Sequence, residues 1–120
     1  MILVDTSVWV DHLRRGNARL AELLVRDEVA CHPFVMGELS LGALRHPQRV
    51  LEHVRALPQF PVAEHAEVSR LVEERKLAGS VVGWVDAHLL AATLIGAGRL
   101  WSLDKPLVRQ AVRLGVAVKA

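Results

Sequence analysis

The chain has 120 residues, of which 52% are hydrophobic, and this predicts one globular domain over residues 1–120 whose core needs no metal or disulfide to fold. Its single cysteine, Cys31, excludes an internal disulfide framework and a cysteine-rich zinc module. The formal net charge of +2, from 15 basic and 13 acidic residues, permits a nucleic-acid partner without demonstrating one.

The sequence also argues against association with a membrane. The longest stretch without Asp, Glu, Lys or Arg covers residues 87–98, whereas a membrane-spanning helix needs about 20 apolar residues. The first apolar run is not preceded by a basic region, which argues against a secretory signal. We therefore expect a soluble, cytoplasmic protein.

Short apolar runs and amphipathic segments alternate through the first half of the chain. Residues 2–4 predict a buried strand, and Thr6 and Ser7 after it are typical of a helix start. That helix is expected to end near residues 15–17. A second helix, a second strand and a third helix are predicted at residues 18–26, 29–31 and 34–44.

The second half continues the alternation. A fourth helix is predicted around residues 50–57, and a weak strand at 60–62, weak because Pro61 has no N–H to donate. The remaining elements are an amphipathic helix around residues 67–75, a nearly all-apolar and therefore buried helix at 84–97, a strand at 100–103, a helix at 106–114 and a last strand at 116–118. This order predicts an α/β sandwich with a mostly parallel central sheet.

Two acids occupy equivalent places at strand ends. Asp5 and Asp104 each close an apolar strand where a helix should begin, with hydroxyls nearby at Thr6, Ser7 and Ser102. The carboxyl ends of parallel strands face the ligand crevice of an open sheet, so both side chains are expected to point into it. The alternative is that each acid only caps the following helix.

Two further acids stand in apolar helices. Glu38 is the only acid between Glu28 and Glu52, and Asp86 is the only charged residue of its helix. A carboxylate near a core is costly unless it is paired, hydrogen-bonded or bound to a metal. The alternatives are a narrow solvent stripe for Glu38 and an exposed first-turn position for Asp86, where the helix dipole favours a negative charge.

If Asp5, Glu38, Asp86 and Asp104 converge, they need a cation. Two carboxylates 4 Å apart repel each other by about 4 kcal/mol at an effective dielectric constant near 20. A site of carboxylates without His or Cys suits Mg²⁺ or Mn²⁺ rather than zinc. Such an ion can activate water and neutralise a phosphate, which is the chemistry of metal-dependent nucleases.

Other groups of residues carry weaker signals. The histidines lack the spacing of metal ligands, Cys31 lies in a predicted strand and is expected in the core, and there is no glycine-rich phosphate loop. Basic residues are concentrated near the C-terminus. The candidates for a rim that attracts RNA phosphates are Arg99, Lys105, Arg109 and Arg113.

Four segments together resemble the PIN-domain ribonucleases, specifically VapC-type toxins of toxin–antitoxin pairs. In chain order they read ILVDTSVWVDHLR, PFVMGELSLGAL, GWVDAHLLAATL and LWSLDKPL. The resemblance covers essentially the whole chain, with the motifs in the family's order and at about its spacing. One departure is Ser102, which stands where the family often has threonine.

The resemblance implies a fold, a set of site residues and partners. The fold is a three-layer α/β/α sandwich with a parallel sheet. The four acids of the family correspond to Asp5, Glu38, Asp86 and Asp104, with Asp5 and Asp86 as first choices for direct metal ligands. The small hydroxyl positions correspond to Thr6 or Ser7 and to Ser102. The implied activity is Mg²⁺-dependent endonucleolytic hydrolysis of RNA, with Mn²⁺ as a possible substitute.

The resemblance further implies neutralisation by a cognate antitoxin protein, and a homodimer. In the residues themselves the dimer is motivated only by apolar content that looks exposed, including Trp9, Trp84 and Trp101, which packing in the core could equally explain.

The alternative from another class is a receiver-like or catalytically inactive α/β binding module. A response-regulator receiver has about this length and a late Lys-Pro pair like Lys105-Pro106. It also needs a phosphorylatable Asp at the end of a central strand, whereas residues 56–60 contain no acid. Asp5 furthermore stands alone where a receiver has paired acids.

Overall fold

A computed structural model describes residues 1–119 of the chain. Within these residues three strands and seven helices alternate. The strands are β1 (Ile2–Val4), β2 (Val29–Ala30) and β3 (Arg99–Trp101). The helices are α1 (Thr6–Arg15), α2 (Ala18–Val25), α3 (Pro33–Leu41), α4 (Pro47–Arg55), α5 (His65–Glu74), α6 (Trp84–Ile95) and α7 (Lys105–Arg113). No helix of residues 1–119 combines the length and the apolar character needed to cross a bilayer.

The three strands form a wholly parallel sheet in the order β2-β1-β3. The chain moves from β1 to β2 on one side and then to β3 on the other side of β1. Right-handed crossovers in opposite directions place their helices on opposite faces of a sheet. The predicted α/β sandwich with a parallel sheet is therefore confirmed, and the carboxyl ends of β1 and β3 lie side by side at its switch point.

Two predicted strands are reduced to single bridges at the sheet edges. Gln59 pairs with Cys31 beside β2, and Ala117 pairs with Leu100 beside β3. The prediction of a strand at 60–62 was wrong because the partner strand ends there: Phe60 donates to Cys31 at 2.8 Å, and α3 begins at Pro33, so Val62 has no strand residue to pair with. The strand at 116–118 was also overestimated, because the N–H groups of residues 116 and 117 donate to Ala111 at 2.9 and 3.1 Å.

The third helix ends three residues earlier than predicted. Gly42 follows Leu41 with an extended backbone, φ −81° and ψ 163°, and donates its N–H to Leu39. Glycine in a helix interior costs about 1 kcal/mol relative to alanine, so an apolar pattern that continues past Gly42 does not continue the helix.

The core lies around β1 and α6. Leu3 and Val4 are fully buried, and α6 is buried from Ala87 to Thr93, as its apolar sequence predicts. Cys31 is also buried, which confirms its predicted place in the core. Burial raises the pKa of its thiol to about 11, so the thiolate nucleophile is absent at neutral pH.

Candidate active site

Asp5 lies at the switch point, directly after β1. Its N–H donates to the carbonyl of Trp101 at 2.9 Å, which joins the ends of β1 and β3. Its side chain is only 5% exposed and forms no hydrogen bond that caps α1. Helix capping, the alternative explanation for Asp5, therefore does not account for this carboxylate.

Two serine hydroxyls hold the Asp5 carboxylate. Ser7 Oγ and Ser102 Oγ each donate to Asp5 Oδ2 at 2.7 Å. Each hydroxyl in turn accepts a backbone N–H at 2.9 Å, from Leu103 and Asp104 respectively. A hydroxyl has one proton, so these contacts settle the direction of both protons toward Oδ2. Asp5 Oδ1 receives no hydrogen bond from residues 1–119 and keeps its lone pairs for a cation.

Asp104 caps α7 and is also exposed to solvent. Its Oδ2 accepts the N–H of Leu107 at 3.2 Å, so it caps α7 as the capping alternative proposed. The residue is nevertheless exposed, and it follows Ser102, whose hydroxyl binds the Asp5 carboxylate. Capping engages one carboxylate oxygen and leaves the other available to a ligand.

Glu38 is tied to α1 through Thr6. Thr6 Oγ1 donates to Glu38 Oε1 at 2.7 Å, a contact that joins α1 to α3. Glu38 is exposed, so the interpretation that it is a carboxylate near the core was wrong. The alternative that Glu38 lies on a solvent-exposed stripe is therefore correct. The hydrogen bond from Thr6 nevertheless directs this side chain toward α1, the helix that begins after Asp5.

Asp86 lies in the first turn of α6 and is partly buried. Burial, followed by the negative charges of Asp5, Asp104 and Glu38, raises its pKa to about 6. Asp5, Asp104 and Glu38 therefore each lie within electrostatic reach of Asp86. Because α1, α6 and α7 begin at Asp5, near Asp86 and at Asp104, the positive ends of three helix dipoles also meet this cluster.

The donor set fits a hard divalent cation in charge and in atom type. All four candidate side chains offer carboxylate oxygens, and Asp86 is destabilised as an anion by its three neighbours. Within residues 1–119, no three acid, histidine or cysteine side chains stand together as a ready-made set of ligands. Mg²⁺ commonly binds proteins through one or two carboxylates and keeps several water ligands, so it does not require such a set.

The predicted basic rim is only partly placed near the acids. Lys105 and Arg109 lie in the first half of α7, after Asp104, and are exposed. Arg99 begins β3, about 10 Å of strand from Ser102, and donates to the carbonyl of Gly115. Arg113 lies at the far end of α7, about 12 Å from its start, so these two arginines lie farther from Asp104 than Lys105 does.

The tryptophans separate into two groups that the sequence did not distinguish. Trp9 and Trp101 are 2% and 8% exposed and belong to the core, which corrects the idea that they look exposed. Trp84, predicted in a buried helix, is 44% exposed because α6 enters the core only after its first turn. Trp84 packs against His65 and His88, at 4.9 and 5.2 Å between ring centroids.

His32 is structural, as predicted, and His88 is also buried. His32 Nδ1 accepts the N–H of Phe34 at 2.9 Å and thereby caps α3. Burial, with the nearby His88, lowers the pKa of His32 to about 4, so its ring is neutral at pH 7. Burial also lowers the pKa of His88.

Comparison with known proteins identifies the family of this chain. The profile of the PIN domain family matches residues 2–112. The chain is 51% identical over 119 residues to Ribonuclease VapC32 of Mycobacterium tuberculosis, from the strains CDC 1551 / Oshkosh and ATCC 25618 / H37Rv. The aligned region covers 98% of this chain and 96% of each relative. The chain therefore belongs to the PIN domain family and, within it, to the VapC type.

Proposed function

We propose that this chain is an endoribonuclease that hydrolyses RNA phosphodiesters with the help of Mg²⁺, for which Mn²⁺ can substitute. The observation that carries the proposal is the meeting of the Asp5 carboxylate, which Ser7 and Ser102 hold, with Asp86, whose pKa burial and then the charges of Asp5, Asp104 and Glu38 raise to about 6. The VapC32 relatives are named ribonucleases, which supports RNA as the substrate class. The proposal treats residues 1–120 as a single catalytic domain.

Asp5 and Asp86 are the proposed direct ligands of the ion, and Glu38 and Asp104 act directly or through water. When bound, the ion lowers the pKa of a water ligand and neutralises charge on the phosphate. Ser7 and Ser102 fix the Asp5 carboxylate by binding Oδ2, which leaves Oδ1 for the ion. This fixed orientation is what a precise ligand geometry requires.

The chain also has to attract a substrate that its own acids repel. Lys105 and Arg109 lie beside Asp104 on α7 and can contact phosphates that flank the scissile bond. The helix starts around the cluster add backbone N–H groups and a positive dipole, which favour a phosphate. Together they supply positive charge next to four carboxylates.

The chemistry predicts defined products. Water oxygen forms a bond to phosphorus, the bond from phosphorus to the 3′ oxygen breaks, and that oxygen leaves with a proton. The products are a 5′-phosphate and a 3′-hydroxyl. Attack by the 2′-hydroxyl of RNA would give a 2′,3′-cyclic phosphate instead.

The test incubates single-stranded RNA with the protein in Mg²⁺, in Mn²⁺ and in excess EDTA, and maps both ends of the fragments. We expect cleavage only with metal, and loss of cleavage in Asp5→Asn with unchanged circular dichroism. The matched control is Asp11→Asn, since Asp11 lies on α1 but is paired with Arg15 at 2.6 Å. Undiminished cleavage in EDTA, or cyclic phosphate ends, would contradict the mechanism.

We also propose that the activity is toxic, that a cognate antitoxin protein neutralises it, and that the chain acts in the cytoplasm as a homodimer. The VapC type of the chain supports these proposals. Exposed apolar side chains such as Ile95 and Val112 are available for self-association. Expression of the chain alone should arrest growth, co-expression of the antitoxin should restore it, and light scattering should give twice the monomer mass. A monomer at tens of micromolar would refute the dimer.

Family membership gives no support to the alternative of a receiver-like module. The cleavage test also decides the alternative of a catalytically inactive binding module. Such a module would bind RNA or a protein but would produce no RNA fragments in Mg²⁺ or Mn²⁺.

A further inference from the structure

A cleft between α1 and the segment that follows α3 is lined by cations and by no acid. Val10, Leu13 and Arg14 of α1 form one wall, and residues 42–45, which end in Arg45, form the other. The cleft has a volume of about 360 Å³. The two clefts beside α5 differ in charge, because both have glutamate in their walls. The function proposed above gives Arg14 and Arg45 no role.

The cleft continues the seam at which α1 meets the acidic site. Thr6, Val10 and Leu13 follow one another at intervals of four and three residues, so they lie on one stripe of α1. Thr6, at the start of this stripe, donates to Glu38 of α3 at 2.7 Å. On the other side of the seam, residues 42–45 begin four positions after Glu38, where α3 has ended. The cleft therefore begins about one helical turn beyond the contact between Thr6 and Glu38.

The order of the strands places this cleft and the cations of α7 on opposite sides of Asp5. Asp5 follows β1, the middle strand of the sheet. The α3 helix, which carries Glu38, follows β2 on one side, and α7 follows β3 on the other side. Lys105 and Arg109 therefore border the acids on the β3 side, and the cleft borders them on the β2 side. A strand of RNA that crosses the acids meets cations at both ends of its path.

Arg14 and Arg45 are suited to binding an anion. Both residues are exposed, and the ion pairs that form within residues 1–119 involve other arginines. Val10, Leu13 and Leu44 give the cleft apolar walls. Cations on walls of low dielectric constant focus the electric field and raise the local concentration of an anion. A guanidinium also presents two parallel N–H donors, which match the oxygens of a phosphate.

We propose that Arg14 and Arg45 bind backbone phosphates of the RNA on the Glu38 side of the cleavage site. The proposal rests on the ribonuclease function proposed above and names the residues that position its substrate. The RNA strand passes between α1 and the segment after α3, and Lys105 and Arg109 contact it on the α7 side. Phosphate contacts fix the register and orientation of a nucleic acid without reading its bases. Arg14 and Arg45 therefore set the affinity for RNA and not the preference for a base.

The salt dependence of RNA binding measures these contacts directly. The protein carrying Asp5→Asn is titrated in Mg²⁺ with a fluorescein-labelled single-stranded RNA, at salt concentrations from about 50 to about 200 mM, and Kd is measured by anisotropy. Each phosphate contact on a single strand contributes about 0.7 to the slope of log Kd against log salt concentration. Adding Arg14→Gln or Arg45→Gln should therefore lower this slope by about 0.7, and adding both should lower it by about 1.4. Each substitution should raise Kd about fivefold at about 0.1 M salt.

Matched variants separate a phosphate contact from a merely structural role. Arg14→Lys and Arg45→Lys keep the positive charge and should keep the slope. Arg26→Gln removes the same charge at the end of α2, where Arg26 pairs with Glu22 at 2.7 Å, and should change neither the slope nor Kd. In the cleavage-competent protein, Arg14→Gln combined with Arg45→Gln should raise KM and leave kcat nearly unchanged. Its Tm should stay that of the wild type, because both residues are exposed.

Two results would overturn the inference and leave the ribonuclease proposal intact. One is a salt slope for RNA binding that is the same with and without the two glutamine substitutions. The other is an unchanged RNA affinity together with weaker inhibition by the antitoxin, which would show that the cleft holds a protein segment instead. If the wild-type protein neither binds nor cleaves RNA with any metal, the proposed function fails, and this inference fails with it.

Discussion

Replacing Asp86 by asparagine should make the protein more stable and inactive at the same time. The substitution keeps the size of the side chain and removes the negative charge that burial, Asp5, Asp104 and Glu38 all disfavour. The rise of the Asp86 pKa from 3.8 to about 6 corresponds to about 3 kcal/mol of unfavourable free energy at neutral pH.

Two effects reduce the gain in the free energy of unfolding that an experiment will record for Asp86→Asn. Asp86 is only partly buried, and water screens the exposed part of its charge, which leaves about 1–2 kcal/mol. The carboxylate also interacts favourably with the α6 dipole, which asparagine loses at a cost of about 0.5 kcal/mol. We therefore expect Asp86→Asn to increase the free energy of unfolding by about 1 kcal/mol at pH 7.5, which corresponds to a rise in Tm of about 4 °C.

The sign of the pH dependence follows from linkage. An acid whose pKa is higher in the folded state binds more protons there than in the unfolded state, so it lowers stability as pH rises. The penalty is absent below the unfolded pKa of 3.8 and complete above the folded pKa of about 6. The gap in Tm between Asp86→Asn and wild type should therefore be largest at pH 7.5 and small at pH 4.5.

Thermal unfolding followed by circular dichroism at both pH values is the assay, with RNA cleavage measured in parallel. Asp11→Asn is the control, because Arg15 and Asn17 lower the pKa of Asp11 and its removal should give no gain. An Asp86→Asn protein that is no more stable than wild type at pH 7.5, or a gap that does not shrink at pH 4.5, would refute the raised pKa of Asp86.

Three further substitutions test the hydrogen bonds of the site, its metal binding and the packing of the fold. Ser102→Ala removes a buried hydroxyl that donates to Asp5 at 2.7 Å, and should lower stability by about 1–3 kcal/mol in thermal unfolding. Glu38→Gln should change stability by less than about 0.5 kcal/mol, because Glu38 is exposed, while weakening Mn²⁺ binding in calorimetric titration. Gly98→Ala places a Cβ 2.6 Å from the ring of Phe60 and should cost about 1–3 kcal/mol in denaturant unfolding.

Each of these substitutions has a counterpart elsewhere in the chain. Ser40→Ala removes an exposed serine hydroxyl and should lower stability less than Ser102→Ala does. Glu22→Gln removes the charge of an exposed glutamate paired with Arg26 and should leave Mn²⁺ binding unchanged. Gly37→Ala fills open space within α3 and should gain up to about 1 kcal/mol. Equal losses of stability in Ser102→Ala and Ser40→Ala would contradict the role of the Ser102 hydroxyl, and an unchanged stability in Gly98→Ala would contradict the close packing on Phe60. Full Mn²⁺ affinity in Glu38→Gln would contradict its proposed role at the metal.

The order of elements and the parallel sheet could be predicted from the sequence, because hydrophobic period, caps and glycines are local properties. The same local signals predicted that Asp5 and Asp104 follow strands and that Glu38 and Asp86 lie on helices. They overestimated the strands at 60–62 and 116–118, since pairing at a sheet edge depends on which N–H groups are free in three dimensions.

Contacts between distant residues were decided only by the tertiary structure. Ser7 and Ser102 are 95 residues apart and meet on one oxygen of Asp5, while Thr6 reaches Glu38 across 32 positions. No local pattern encodes such distances, because they depend on how β1 and β3 pair and how α1 packs on α3. The sequence by itself determined which side chains carry the charge. Only the folded chain decided that Asp86 lies within electrostatic reach of three other carboxylates and that Trp84 remains exposed while Trp9 and Trp101 are buried.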